Sequence, residues 1–407
     1  MQKYQAFALS SLLVLTSCGG GSGSGVVVPP PPPPQGGNVV TLTVEPGPAG
    51  TVNIPFISIK ICAPNSTTNC QTIDGIEVDT GSYGLRIMAS VLNASLLSAL
   101  PRQMVAGTTV PVVECAQFAD GYSWGPVVSA DLTVSGETAS GLNMQVIGDP
   151  SFTQVPNTCS SVGPQEDSVT SFGANGLIGV GVFQQDCGPA CAAGVIAGTY
   201  YQCPTNGGGC TGITEPTTLQ VSNPVASFTT DNNGVIVELP SVAAGGAATA
   251  TGSLIFGIGT QTNNGLGSAT ILATDPGAGT INVSFGTTQY PLSGIDSGSN
   301  AYYFADSSLT VCGAGTAPGF FCTPANISTT ITTQANMQLA ADFSVGDAQS
   351  MIQANPMATA FPELAGPIGA SQSQTFDFGL PWFYGRHVYV AIENMTAAGT
   401  LGPYLAY

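Results

Sequence analysis

The sequence predicts an all-β protein built as two lobes of six or seven strands each. Three observations carry that prediction. Glycine supplies 53 of 407 residues and only 7% are charged, while Thr, Ser, Val and Ile are plentiful. Such a composition suits short strands with Gly-rich turns, and a 43% hydrophobic content argues against disorder. The chain is also too long for one ordinary core. Finally, its two halves repeat an order: an apolar strand, a break at Asp-Thr/Ser-Gly-Ser, and much later an apolar step ending in Gly.

Taken in order, residues 1–17 read as a signal peptide. Lys3 opens them, and the apolar run 6–15 is too short to span a bilayer as a helix. Leu15-Thr16-Ser17-Cys18 resembles a bacterial lipobox, which implies lipidation of Cys18 and anchoring without a spanning helix. Gly19, rather than Asp, follows the Cys and favours the outer membrane, on its periplasmic or cell-surface side. Residues 18–38 form a tether: a flexible Gly/Ser piece, then six prolines at 29–34 that act as a stiff polyproline spacer.

A first lobe is expected over 39–222 and a second over 223–407. In the first, strands are expected at 39–44, 54–62 and 73–78, with Asp79-Thr80-Gly81-Ser82 breaking the third. Residues 115–134 read as two strands joined at Asp120-Gly121, and 176–182 as a short apolar strand with three glycines. In the second, 253–258 is a strand and 281–294 a hairpin over Gly286-Thr287-Thr288, broken by Asp296-Ser297-Gly298-Ser299. Phe378-Gly379 forms the later apolar step, and 387–393 alternates like a last strand.

The net charge of −18 leaves no basic stripe to meet phosphates, so no nucleic-acid partner is expected. The protein is expected to be a monomer that needs no cofactor and no metal. Eleven cysteines leave an even ten once Cys18 carries lipid, which in an exported chain implies disulfides. Spacing suggests Cys62–Cys70, Cys115–Cys159 and Cys312–Cys322. Cys187, Cys191, Cys203 and Cys210 pair either nested or sequentially. A zinc site is disfavoured because Cys187 and Cys191 lack CxxC spacing and the sole histidine, His387, is distant.

Two carboxylates sharing one proton can hydrolyse a peptide bond without metal or covalent intermediate. One takes a proton from water while the other gives one to the carbonyl oxygen. Asp79 and Asp296 are the candidates. Gly81 and Gly298 let the backbone turn tightly so that its N–H groups reach each carboxylate. Thr80 and Ser297 offer hydroxyls that can bond across the lobes, and Ser82 and Ser299 can orient the carboxylates. One such tetrapeptide is ordinary turn chemistry; two, each after an apolar strand and one per half, are a much stronger signal.

These residues resemble the pepsin family of aspartic proteases over most of 50–407. Ile76-Glu77-Val78-Asp79-Thr80-Gly81-Ser82 is similar to its first catalytic motif and Gly294-Ile295-Asp296-Ser297-Gly298-Ser299 to its second. Phe118-Ala119-Asp120-Gly121-Tyr122-Ser123 resembles the flap hairpin that closes over substrate. Asn175-Gly176-Leu177-Ile178-Gly179-Val180-Gly181 and Phe378-Gly379 resemble the steps that complete the two psi-shaped loops. The resemblance implies a bilobal acid-protease fold with a peptide or protein substrate in the cleft. The lipobox and tether further resemble a family of uncharacterised proteobacterial lipoproteins.

The departures are specific. The flap Tyr falls on Phe118, with Tyr122 as a displaced substitute, and the Trp that bonds it falls on Arg86. Arg86 is expected to stack on Phe118. Asp377 occupies an apolar slot beside Asp296. No Lys/Arg-rich prosegment precedes Asp79. His387 is expected to be structural, Trp124 and Trp382 to be core or cleft-wall aromatics, and Arg86 and Arg386 to pair with nearby acids. The expected function is a cell-surface aspartic endopeptidase. The alternative is a pepsin-fold lipoprotein that has lost catalysis and binds a peptide, glycan or protein partner.

Overall fold

The computed structural model describes residues 37–205, 209–333 and 336–407. The expected signal peptide, the lipidation site Cys18 and nearly all of the tether lie outside the described residues. The fold is mainly β, as predicted. Its strands follow the alternation that a half-buried sheet imposes: in Pro55–Cys62, Ile57, Ile59 and Ile61 face the core while Ser58 and Lys60 face solvent.

A 15-stranded sheet runs through both halves of the chain. Its centre is shared: Val39–Val44 pairs along its whole length with Ala250–Phe256, which comes from the second half. A 7-stranded sheet belongs to the second half and carries Thr288–Ile295. One large apolar cluster runs between the sheets, from Leu42 through Ile178 and Phe256 to Trp382 and Leu405.

Each half contains the same psi-shaped loop. In the first, Gly176–Val180 threads between Cys70–Asp79, parallel to it, and Tyr83–Met88, antiparallel to it. Neighbouring backbones press so close there that glycine is required: a Cβ on Gly176 would lie 2.4 Å from the Arg86 carbonyl oxygen. In the second, Asp377–Phe378 threads between Thr288–Ile295 and Tyr302–Phe304 in the same two senses. A Cβ on Gly379 would lie 2.1 Å from the Ala301 carbonyl oxygen.

Five disulfides form: Cys62–Cys70, Cys115–Cys159, Cys187–Cys191, Cys203–Cys210 and Cys312–Cys322. The four cysteines left open by spacing thus pair sequentially. One strand expectation needs correction. The strand His387–Ala391 is not the last, because Tyr404–Ala406 follows it and closes that part of the sheet against Ile271–Ala273.

Candidate active site

Both Asp-Thr/Ser-Gly-Ser segments turn at the ends of psi-loop strands, and the two turns face each other. Gly81 N–H donates to Asp79 Oδ1 at 2.8 Å, and Ser82 Oγ donates to Asp79 Oδ2. The second turn repeats this: Gly298 N–H donates to Asp296 Oδ1 at 2.8 Å, and Ser299 Oγ donates to Asp296 Oδ2 at 2.8 Å. The two glycines have no room for a side chain. A Cβ on Gly81 would sit 2.5 Å from Asp296 Cγ, and one on Gly298 would sit 2.6 Å from Asp79 Oδ1. Each carboxyl is therefore packed against the opposite turn.

Thr80 and Ser297 lock the turns together. Thr80 N–H donates to Ser297 Oγ (3.1 Å) and Thr80 Oγ1 to the Ile295 carbonyl (3.1 Å). Reciprocally, Ser297 N–H donates to Thr80 Oγ1 (2.9 Å) and Ser297 Oγ to the Val78 carbonyl (2.7 Å). All of these groups are buried, so each bond satisfies a group that would otherwise be stranded.

Asp79 is fully buried. Burial pushes its carboxyl well above the ordinary carboxylate range, and the neighbouring Asp296 adds to this by its charge and by a hydrogen bond, while Ser82 opposes it. Asp79 therefore holds its proton more tightly than an ordinary carboxyl does. Tyr83 lies beside the two carboxyls, its ring packed on Phe183 at 5.2 Å. Its hydroxyl is also raised, by burial first and then by Asp79 and Asp296.

Two cavities, of about 400 Å³ and about 200 Å³, meet at Gly81, Tyr83, Asp296 and Gln372. The larger reaches under the hairpin formed by Val112–Gln117 and Tyr122–Val134. Of the four expected flap residues, Phe118 lines this cavity, together with Ala119; Asp120, Gly121 and Tyr122 do not. The turn is pinned from behind. A Cβ on Gly121 would meet the Pro164 carbonyl oxygen at 2.6 Å, and Tyr122 N–H donates to that oxygen. Tyr122 is buried with its hydroxyl on Gln165, so it does not replace the missing hydroxyl at Phe118.

Arg86 does not stack on Phe118, which packs edge-on against Phe172 instead. The buried guanidinium is drawn to anions that composition alone conceals: Glu114 at 2.5 Å and Asp186 at 3.6 Å, with the Tyr83 carbonyl as a further acceptor. Burial works against its charge, but these two acids hold it protonated. Tyr200 donates to Asp186 at 2.6 Å. Arg86 thus meets the acids expected of it, whereas Arg386 has no acidic partner among the described residues and lies 3.9 Å over the Trp382 ring. His387 is exposed and lies 3.0 Å from Glu238.

Tyr83, Asp186 and Glu114 escaped the sequence reading. Glu114 left one signal, a lone charge inside the apolar run Val112-Val113-Glu114-Cys115.

A family model described as "Protein of unknown function (DUF3443)" matches residues 34–407. No curated protein matches. Among solved structures, the aspartic proteinase from Irpex lacteus is similar at 12% identity and a TM-score of 0.46. The match covers 90% of this chain and 96% of that one.

Proposed function

The chain belongs to the DUF3443 family, a family of unknown function, and we propose that it is an aspartic endopeptidase acting on extended peptides. One observation carries the reading: two carboxyls from distant halves, each held by a Gly N–H and a Ser hydroxyl, are interlocked across a cleft floor. A water between them would give a proton to the ionised member as it attacks the scissile carbonyl. The protonated member would donate to the carbonyl oxygen, and the leaving amine would then collect a proton as the tetrahedral intermediate collapses. Thr80, Gly81, Ser82, Ser297, Gly298 and Ser299 hold the pair in place, and the hairpin bearing Phe118 forms a lid. Lobes dividing at 222/223 each supply one carboxyl.

A second reading, peptide binding without hydrolysis, draws on the lid. Phe118 brings no hydroxyl to the cleft, and Tyr122 points away from it. We further propose export and lipid anchoring at Cys18, for which five disulfides argue an oxidising compartment.

The test is digestion of a peptide library from acid to neutral pH, with and without pepstatin, by the wild type and Asp79→Asn. Cleavage lost in the variant supports hydrolysis by the pair. Cleavage retained by the variant excludes it, and saturable peptide binding with no cleavage selects the second reading.

A further inference from the structure

Two acids share one cation beside the cleft, and the proposed hydrolysis uses none of the three. Arg86 Nη2 bonds Glu114 at 2.5 Å and lies 3.6 Å from Asp186 Oδ2, beyond hydrogen-bonding reach. Arg86 Nη1 is spent on the Tyr83 carbonyl at 2.6 Å. One guanidinium therefore faces two carboxyls and bonds only one of them. Glu114 Oε2 is buried with no hydrogen-bond partner, so the cluster is short of a donor as well as of a positive charge. A carboxylate held out of water without its own counter-charge is costly, and a second cation would offset that cost.

Asp186 is the acid of the two that a ligand can reach. Its side chain is 13% exposed, whereas that of Glu114 is closed off. It lines the larger cavity, which Asp296 also lines. Tyr200 accepts from the Val221 N–H at 2.8 Å and donates to Asp186 Oδ1 at 2.6 Å. That bond orients the carboxyl and leaves Oδ2 open to a second donor. Ala116, Phe118 and Ala119 line the same cavity and offer apolar surface on which a methylene chain can lie. Arg86 is the one cation among the described residues lining it, and its side chain is only 3% exposed, with both terminal nitrogens already bonded. An acidic side chain entering this cavity would meet two carboxyls and no free donor of charge.

We propose that Asp186 is a specificity-determining residue: it receives the cationic end of a lysine or arginine side chain of the bound peptide, which lies along Phe118 and completes a cluster of two acids and two cations. This rests on the reading of the cleft as a peptide site. It deepens that reading by naming the side chain the larger cavity takes. The electrostatics of the empty cluster agree. Burial first, then Glu114, push the Asp186 carboxyl up, with Arg86 and Tyr200 opposing, so one guanidinium does not compensate both acids.

The test walks a lysine along an otherwise neutral peptide and compares it, position by position, with norleucine, Nε-acetyl-lysine and glutamate. At the position whose side chain enters the cavity, lysine should exceed norleucine in kcat/KM by about tenfold or more. Acetyl-lysine and glutamate should fall below lysine by at least as much. In Asp186→Asn, which keeps an oxygen for Tyr200 and leaves Arg86 and Glu114 balanced, the lysine-to-norleucine ratio at that position should fall to near unity. The ratio is taken within one protein, so a general loss of activity or stability cancels. No position that favours lysine, a preference for glutamate, or a lysine preference retained in Asp186→Asn would overturn the proposal. Acetyl-lysine cleaved as well as lysine by the wild type would overturn it too, and that comparison stands even where the variant does not fold. A wild type that cleaves nothing sinks the peptidase reading alone; the Kd values of the same peptides, read by fluorescence polarisation, then carry the same ratios. A wild type that neither cleaves nor binds any of them overturns both.

Discussion

The interlock between the two turns gives a stability prediction that does not depend on catalysis. Replacing Ser297 by Ala removes the acceptor of Thr80 N–H and the donor to the Val78 carbonyl, at 3.1 and 2.7 Å. Thr80 and Val78 are both buried, so water cannot replace what is lost. Two stranded backbone groups at about 1–3 kcal/mol each predict a loss of about 2–6 kcal/mol. Urea unfolding of the disulfide-intact protein measures it, through the midpoint at constant slope. Thr80→Ser serves as the control. It keeps the hydroxyl that serves Ile295 and Ser297, and should cost less than about 1 kcal/mol. A loss under about 0.5 kcal/mol in Ser297→Ala, the level of an ordinary surface change, would refute the interlock as a source of stability.

Three further outcomes follow from buried charge and from chain closure. Asp79 has a folded-state pKa above its unfolded value of about 3.9, so its contribution is full in acid and is lost as pH rises. Asp79→Asn should therefore match the wild type near pH 3 and gain on it steadily toward pH 7 in thermal melts. Arg86→Met strands the buried Glu114 and Asp186 side chains, and should cost about 3–5 kcal/mol at pH 7, read by urea unfolding. Among the disulfides, Cys115–Cys159 closes a separation of 44 residues and Cys187–Cys191 one of only 4. Paired Cys→Ala changes should cost about 4 and about 2 kcal/mol respectively, read by unfolding without reductant.

The parts of this molecule that were legible in the sequence are those fixed by short-range rules. Asp79-Thr80-Gly81-Ser82 and Asp296-Ser297-Gly298-Ser299 declare their turns locally, and the glycine-bearing psi strands declare themselves by close backbone approach. Of the three disulfides read from spacing, Cys62–Cys70 and Cys312–Cys322 are local closures, while Cys115–Cys159 ties a strand to a short helix 44 residues on. What escaped depended on which anion a buried cation reaches. Nothing local says that Arg86, on one strand, meets Glu114 and Asp186 rather than Phe118. Tyr122 was misplaced for a similar reason. In a hairpin, side-chain direction alternates residue by residue, and the loop at 164–166 claims the face on which Tyr122 emerges. The final strand was missed because Tyr404–Ala406 is only three residues long.

The shared centre of the large sheet bears on how the chain can be cut. Val39–Val44 hydrogen-bonds to Ala250–Phe256 through six residue pairs, although it comes from the first half of the sequence and its partner from the second. A fragment beginning at residue 223 would lack that partner and carry a bare, apolar strand edge, a template for aggregation. Neither half is then a self-sufficient folding unit. Force applied along the leading segment would load those six pairs in shear, the direction in which a β-ladder yields all its bonds together rather than one by one.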